Sequence, residues 1–137
     1  MKKIICLLFI IILTGCGNVS TFSYELESLQ EKVISAEIVD VTRPQEDTPP
    51  GINAIISIGD DDLETMLVDL SNMKIYVTLG RPQRTEGICL KLNYENDYEL
   101  ICDSVIVSYD HEGNFIYHKD IYKPEGFDEF ISKYNKE

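Results

Sequence analysis

The spacing of apolar residues changes period several times along the chain, and each change marks an element. An unbroken apolar run over 4–13 follows Lys2 and Lys3. Leu26, Leu29 and Val33 then recur at helical spacing, predicting a helix over 24–33 with Ser23 as its cap. Residues 36–41 alternate with period two, as a strand does. Pro44, Pro49, Pro50 and Gly51 make 43–51 a loop, since proline removes donors and fixes φ. Residues 52–58 are rich in isoleucine and predict a second strand. Leu63, Met66, Leu67 and Leu70 form one helical stripe over 61–72. Asp61 and Glu64 stand at capping-box spacing there, with Asp60 and Asp62 suited to the positive end of the helix dipole. Four strands are expected next, at 74–79, 88–93, 98–109 and 115–122. Turns at 81–85, 94–97 and 110–113 separate them, the last with Gly113 where positive φ is wanted. Pro124 then opens a helix over 124–135 that presents Phe127, Phe130, Ile131 and Tyr134 on one face.

Strands grouped between helices imply an α+β fold. The expected form is one domain over 24–137, an antiparallel sheet packed with amphipathic helices. The sheet would hold about four strands in a meander plus one or two N-terminal strands. Ile75, Val77, Leu79, Ile88, Leu90 and Leu92 would face the helices, and the two helices at 61–72 and 124–135 would share a core on that side. The opposite side would then carry Tyr76, Cys89, Leu100, Cys102, Ile106, Ile116 and Tyr122. That is more apolar than a solvent face of an antiparallel sheet. Either another segment covers it, with the N-terminal helix and the proline-rich loop both available, or it binds something. Tyr76, Ile106, Ile116 and Tyr122 are its candidate binding residues. A turn at 94–97 that pairs Asn93 with Tyr98 sets Cys89 opposite Cys102, within reach of a disulfide. A two-residue loop at Asn96-Asp97 would leave them diagonal, and two reduced cysteines would act as small apolar residues.

The start of the chain carries an address. A basic pair and a short apolar run are the n- and h-regions of a signal peptide. The run is too short for a membrane-spanning helix, which needs about 20 residues. Leu13-Thr14-Gly15-Cys16 comes next, and it resembles the lipobox of bacterial lipoprotein precursors. That resemblance covers residues 1–16. It implies diacylglycerol on the sulfur of Cys16, cleavage just before it, and anchoring on the extracytoplasmic face of the cell membrane. Residues 16–23 would be the lipidated cysteine and a short tether. The remainder also resembles, loosely, small lipoproteins of low-GC Gram-positive bacteria, which have a capped helix and a meander with Asp-x-x-Gly turns such as Asp110–Gly113. It has no diagnostic site motif and carries no activity across.

Charge narrows the partners. The chain has 12 basic and 24 acidic side chains. Loss of Lys2 and Lys3 with the signal peptide leaves 10 against 24, a net charge of −14. Such a surface repels nucleic acid and attracts cationic peptides or divalent cations. No catalytic, cofactor or metal site is expected. His111 and His118 are the two histidines, tryptophan is absent, and no nucleophile elbow or phosphate loop is present. Asp110, His111 and Glu112 diverge on a tight turn, whereas zinc needs converging ligands. Asp60-Asp61-Asp62 lacks the glycine and spread of ligands of a calcium loop. Arg81 and Arg84 flank a turn, and a lone basic pair is far from a basic cluster. The expected function is a membrane-anchored, non-enzymatic module that binds a protein, a cationic peptide or another envelope component. The alternative is a small extracytoplasmic enzyme, or an accessory subunit of an envelope transporter or sensor, and it requires a cleft where a histidine or paired carboxylates converge.

Overall fold

The computed structural model describes residues 20–43, 45, 48–79 and 85–136. In chain order it contains β1 (Thr21–Phe22), α1 (Leu26–Lys32), β2 (Ser35–Thr42), β3 (Gly51–Ser57), α2 (Asp60–Ser71), β4 (Ile75–Tyr76), β5 (Gly87–Asn93), β6 (Asp97–Ile101), β7 (Val105–Asp110), β8 (Phe115–Asp120) and α3 (Phe127–Tyr134). The fold is α+β. Six antiparallel strands form the main sheet in the order β3-β2-β5-β6-β7-β8, and β1 with β4 forms a separate two-stranded sheet.

Two expected strands are arranged differently. Residues 98–109 form two strands, because Asp103 and Ser104 make a tight turn closed by Cys102 N–H donating to Val105 O. Alternation along 74–79 carries a strand-like pattern but does not name its partner. Only Ile75–Tyr76 pair, and they pair with Thr21–Phe22, within the segment expected to be a tether. Val77 makes a single bridge to Ile121, and Leu79 is 91% exposed and does not face the helices. The meander is therefore β5 to β8.

The turn at 103–104 also reverses the parity of β7. It pairs Ile101 with Ile106 and Leu100 with Val107. Residues opposite one another share a face, so Ile106 points to the helices. One face carries Ile38, Leu90, Leu92, Ile101 and Ile106 against α1, α2 and α3. Leu67, Leu70, Phe127, Phe130 and Ile131 share this core, with Leu63 packed partly buried against it. Asp69 joins α2 to α3, accepting from Lys133 Nζ at 2.6 Å and from the Tyr134 hydroxyl at 2.5 Å. The caps differ from expectation. Gly59 is the N-cap of α2, so all three aspartates lie within its first turn and Asp61 stands too far inside to cap. Gly126, in the left-handed region at φ 78°, precedes α3, and Pro124 belongs to the turn before it.

The second face is buried as well. Val39, Cys89, Leu100 and Cys102 are fully buried there beside Tyr98, Val107 and Tyr109. The loop between β2 and β3 reaches over it. Pro49 would lie 3.1 Å from a side chain at Gly113, in the β7–β8 turn across the sheet, and Pro50 is buried. Cys89 and Cys102 form a disulfide with Cα atoms 4.5 Å apart. Tyr94 N–H donating to Asp97 O closes the hairpin, and Asn93 pairs with Tyr98. Counting back from that turn places the two cysteines in a non-hydrogen-bonded pair, the closer of the two cross-strand spacings. In the chain-entropy account a closed loop this short contributes about 3 kcal/mol.

Leu67 is 3% exposed at the centre of the helix-side core. Leu67→Ala should cost ~2–5 kcal/mol in urea unfolding, a large part of the ~5–15 kcal/mol typical of whole domains. A neutral result would place α2 outside the core.

Candidate functional site

The helix side of the sheet turns polar toward β8. Strand register sets Leu92, Glu99, Ser108 and Tyr117 in one cross-strand row, and Leu90, Ile101, Ile106 and Lys119 in the next. Helices cover the apolar end of these rows. Over the polar end lie the chain from Phe22 to Glu25, α1 and the turn at 94–97, and between them is an open cavity of about 800 Å³.

At its floor lies Glu99, a carboxyl group 4% exposed on a central strand. Burying a charged carboxylate costs more than the ~2–7 kcal/mol of an unpaired amide or hydroxyl, unless hydrogen bonds replace water. Tyrosines supply them. The Tyr24 hydroxyl donates to Oε1 at 2.5 Å, and the Tyr117 hydroxyl donates to Oε2. The Tyr94 hydroxyl approaches the same carboxyl group. Burial, and then the charge of Glu99, push the pKa of Tyr24, Tyr94 and Tyr117 well above the usual tyrosine value. Ser108 turns its own hydroxyl away, to Tyr98 O at 3.2 Å.

The remaining wall is mostly acidic and aromatic. Glu25, Glu31, Glu95 and Asp97 join Glu99 there, against Lys32 and Lys119. Five carboxyl groups and two ammonium groups give the wall a formal charge of −3. Lys119 holds its ammonium group 4.5 Å from the centre of the Phe22 ring. Among the described residues, no group of three or more His, Cys, Asp or Glu side chains could hold a metal ion.

The candidate binding face expected from the sequence does not assemble. Ile106 is 1% exposed in the helix-side core, because the turn at 103–104 reverses its parity. Cys89, Leu100 and Cys102 do lie on the other side, but that side is covered. Tyr76 and Tyr122 are exposed neighbours, with Tyr122 N–H donating to Tyr76 O at 2.9 Å. Ile116 is exposed on β8. Ile88, expected toward the helices, is also exposed. Cys16, Arg81 and Arg84 lie outside the described residues.

Both histidines are exposed and neither lines the cavity. His111 contacts Glu95 O at 3.2 Å, and His118 stands 3.7 Å from Asp120. Asp110 spends its carboxylate on its own turn, accepting from the N–H groups of Glu112 and Asn114 and from the Asn114 side chain. Carboxyl groups do line the cavity, and the buried one accepts from a tyrosine hydroxyl at each oxygen.

The Glu99 cluster is not anticipated by a single strand over 98–109. A signal is nevertheless present: Glu99 is a lone acid among Tyr98, Leu100 and Ile101. Comparison with known proteins finds no family model, curated protein or solved structure that matches this chain.

The raised tyrosines set a pH dependence. Each is protonated in both folded and unfolded states below about pH 10, the unfolded value. Their contribution to stability is complete there and is lost as pH rises toward the folded values, because the unfolded state ionises first. The urea midpoint should therefore fall above about pH 10, with tyrosinate absorbance at ~295 nm rising as the fold is lost. Tyr117→Phe should flatten that alkaline slope. A slope unchanged in the variant would remove Tyr117 from the network.

Proposed function

We propose that this chain is a lipid-anchored, extracytoplasmic binding module that works close to the cell membrane. The observation that carries the binding reading is the Glu99 cavity. It is an open, aromatic-lined recess with a buried carboxyl group at its floor, a form that suits holding a ligand. Both oxygens of Glu99 are engaged by hydroxyls. The hydroxyls hold it in one orientation, as a fixed acceptor at the floor of the recess.

The location rests on Leu13-Thr14-Gly15-Cys16 behind the basic and apolar start of the chain. The disulfide between Cys89 and Cys102 supports it, since such bonds persist where thiols are not held reduced. Among the described residues no helix is long and apolar enough to cross a membrane. A cysteine carrying two acyl chains would supply stable attachment by itself, since one chain holds only marginally.

Two experiments test this reading. Cys16→Ala should accumulate the precursor with residues 1–15 attached, while the wild-type chain sediments with membranes and carries a diacylglycerol thioether on Cys16. Mass spectrometry of a soluble wild-type chain with unmodified Cys16 overturns the anchor. A fractionated envelope extract should raise the melting temperature of the purified wild-type chain, because a ligand that binds only the folded state stabilises it. A melting temperature that no fraction moves overturns the binding module.

A further inference from the structure

We propose that the Glu99 cavity takes the ammonium group of a lysine-bearing peptide. The inference rests on the binding-module reading and names the ligand class of that site. Three observations point the same way. First, the wall is anionic by three charges, and low-dielectric walls focus such a field on the recess between them. Second, the wall is aromatic. Phe22, Tyr24, Tyr94 and Tyr117 line the recess, and aromatic faces attract cations most strongly where water is excluded. Third, the chain already seats an ammonium group on this wall. Lys119 reaches across from β8 and holds Nζ 4.5 Å from the centre of the Phe22 ring.

An organic cation fits better than a metal ion. Metal ions need converging oxygens, and the carboxyl groups among the described residues do not form such a group. Glu99 presents hydroxyl-capped oxygens, which act on a ligand through charge rather than through close coordination. A peptide fits better than a small ammonium ion. The cavity, about 800 Å³, far exceeds one ammonium group, and Glu25, Glu31 and Glu95 line it to receive further basic side chains. The lysine enters between the tyrosine rings above Glu99, beside Lys119 and in competition with it for Phe22.

The test is calorimetric titration of the full-length chain in detergent micelles with tetralysine, tetraglutamate and tetramethylammonium. Tetralysine should bind, and binding should weaken as salt screens the carboxyl groups. Tetraglutamate should not bind. Lys119→Met should tighten tetralysine binding by about threefold to tenfold, by removing a resident cation from the Phe22 ring. Glu99→Gln should weaken it by about tenfold or more. Lys119 is exposed, so its variant keeps the test decisive if Glu99→Gln fails to fold by circular dichroism. Three results overturn the proposal: no binding of tetralysine, binding that Lys119→Met leaves unchanged or weakens, or binding of tetramethylammonium alone. An envelope fraction that raises the melting temperature while tetralysine stays unbound leaves the module standing and removes this ligand class.

Discussion

The register of the β5–β6 hairpin is the constraint on which the rest depends. Tyr94 N–H donates to Asp97 O, Asn93 pairs with Tyr98, and every later pair is set by that one. Strand side chains alternate with period two, so a slip of one residue moves each of them to the other face. Here a slip of β6 would carry Ile101 away from the helices, part Cys89 from Cys102, and place Glu99 under the loop between β2 and β3. The disulfide pins the open end of the same hairpin that the turn pins at its closed end. The hairpin is thus fixed at both ends, between two buried layers that tolerate no exchange.

Burial on both faces explains the other strands. β6 and β7 are buried along nearly their whole length, whereas β3 and β8 lie mostly exposed at the edges of the sheet. Helices cover one side of the centre and the proline-rich loop approaches the other. Pro49 sits against Gly113, where a Cβ would meet it at 3.1 Å and where φ is +88°. Glycine there meets two demands at once, a left-handed turn residue and close approach by the loop.

Within this frame Glu99 is the conspicuous cost. A hydrophobic side chain at that position would extend the apolar row of Leu92 without needing partners. The chain instead surrounds a buried carboxyl group with hydroxyls from three separate places: Tyr24 before α1, Tyr94 at the hairpin turn and Tyr117 on the edge strand. Such a network is stabilising only when complete, since each missing donor leaves a buried acceptor short of a partner. It also ties the N-terminal segment to the far edge of the sheet, and so holds the roof of the cavity to its floor.

Much of the architecture is legible in the chain itself, because it depends on local periodicity. The stripe Leu63, Met66, Leu67, Leu70 and the face Phe127, Phe130, Ile131, Tyr134 each announce a helix, whatever they pack against. Alternation around Leu90 and Leu92, with the turn at 94–97, narrows the hairpin to two registers, and the closed turn selects the one that sets Cys89 opposite Cys102. The resemblance of residues 1–16 to a lipoprotein precursor rests on the sequence alone, outside the described residues. Partner and parity are not local. The pattern at 74–79 does not reveal that Ile75–Tyr76 pair with Thr21–Phe22. Asp103-Ser104 is visible as a polar pair, but only the closed turn shows that it reverses parity and turns Ile106 inward. The Glu99 site draws together positions 24, 94, 99 and 117, and alternation says nothing of which distant hydroxyls will meet one buried acid. Elements are decided by neighbours along the chain. The covered second face and the tyrosine-capped carboxyl group are decided by contacts between distant segments, which only tertiary structure can set.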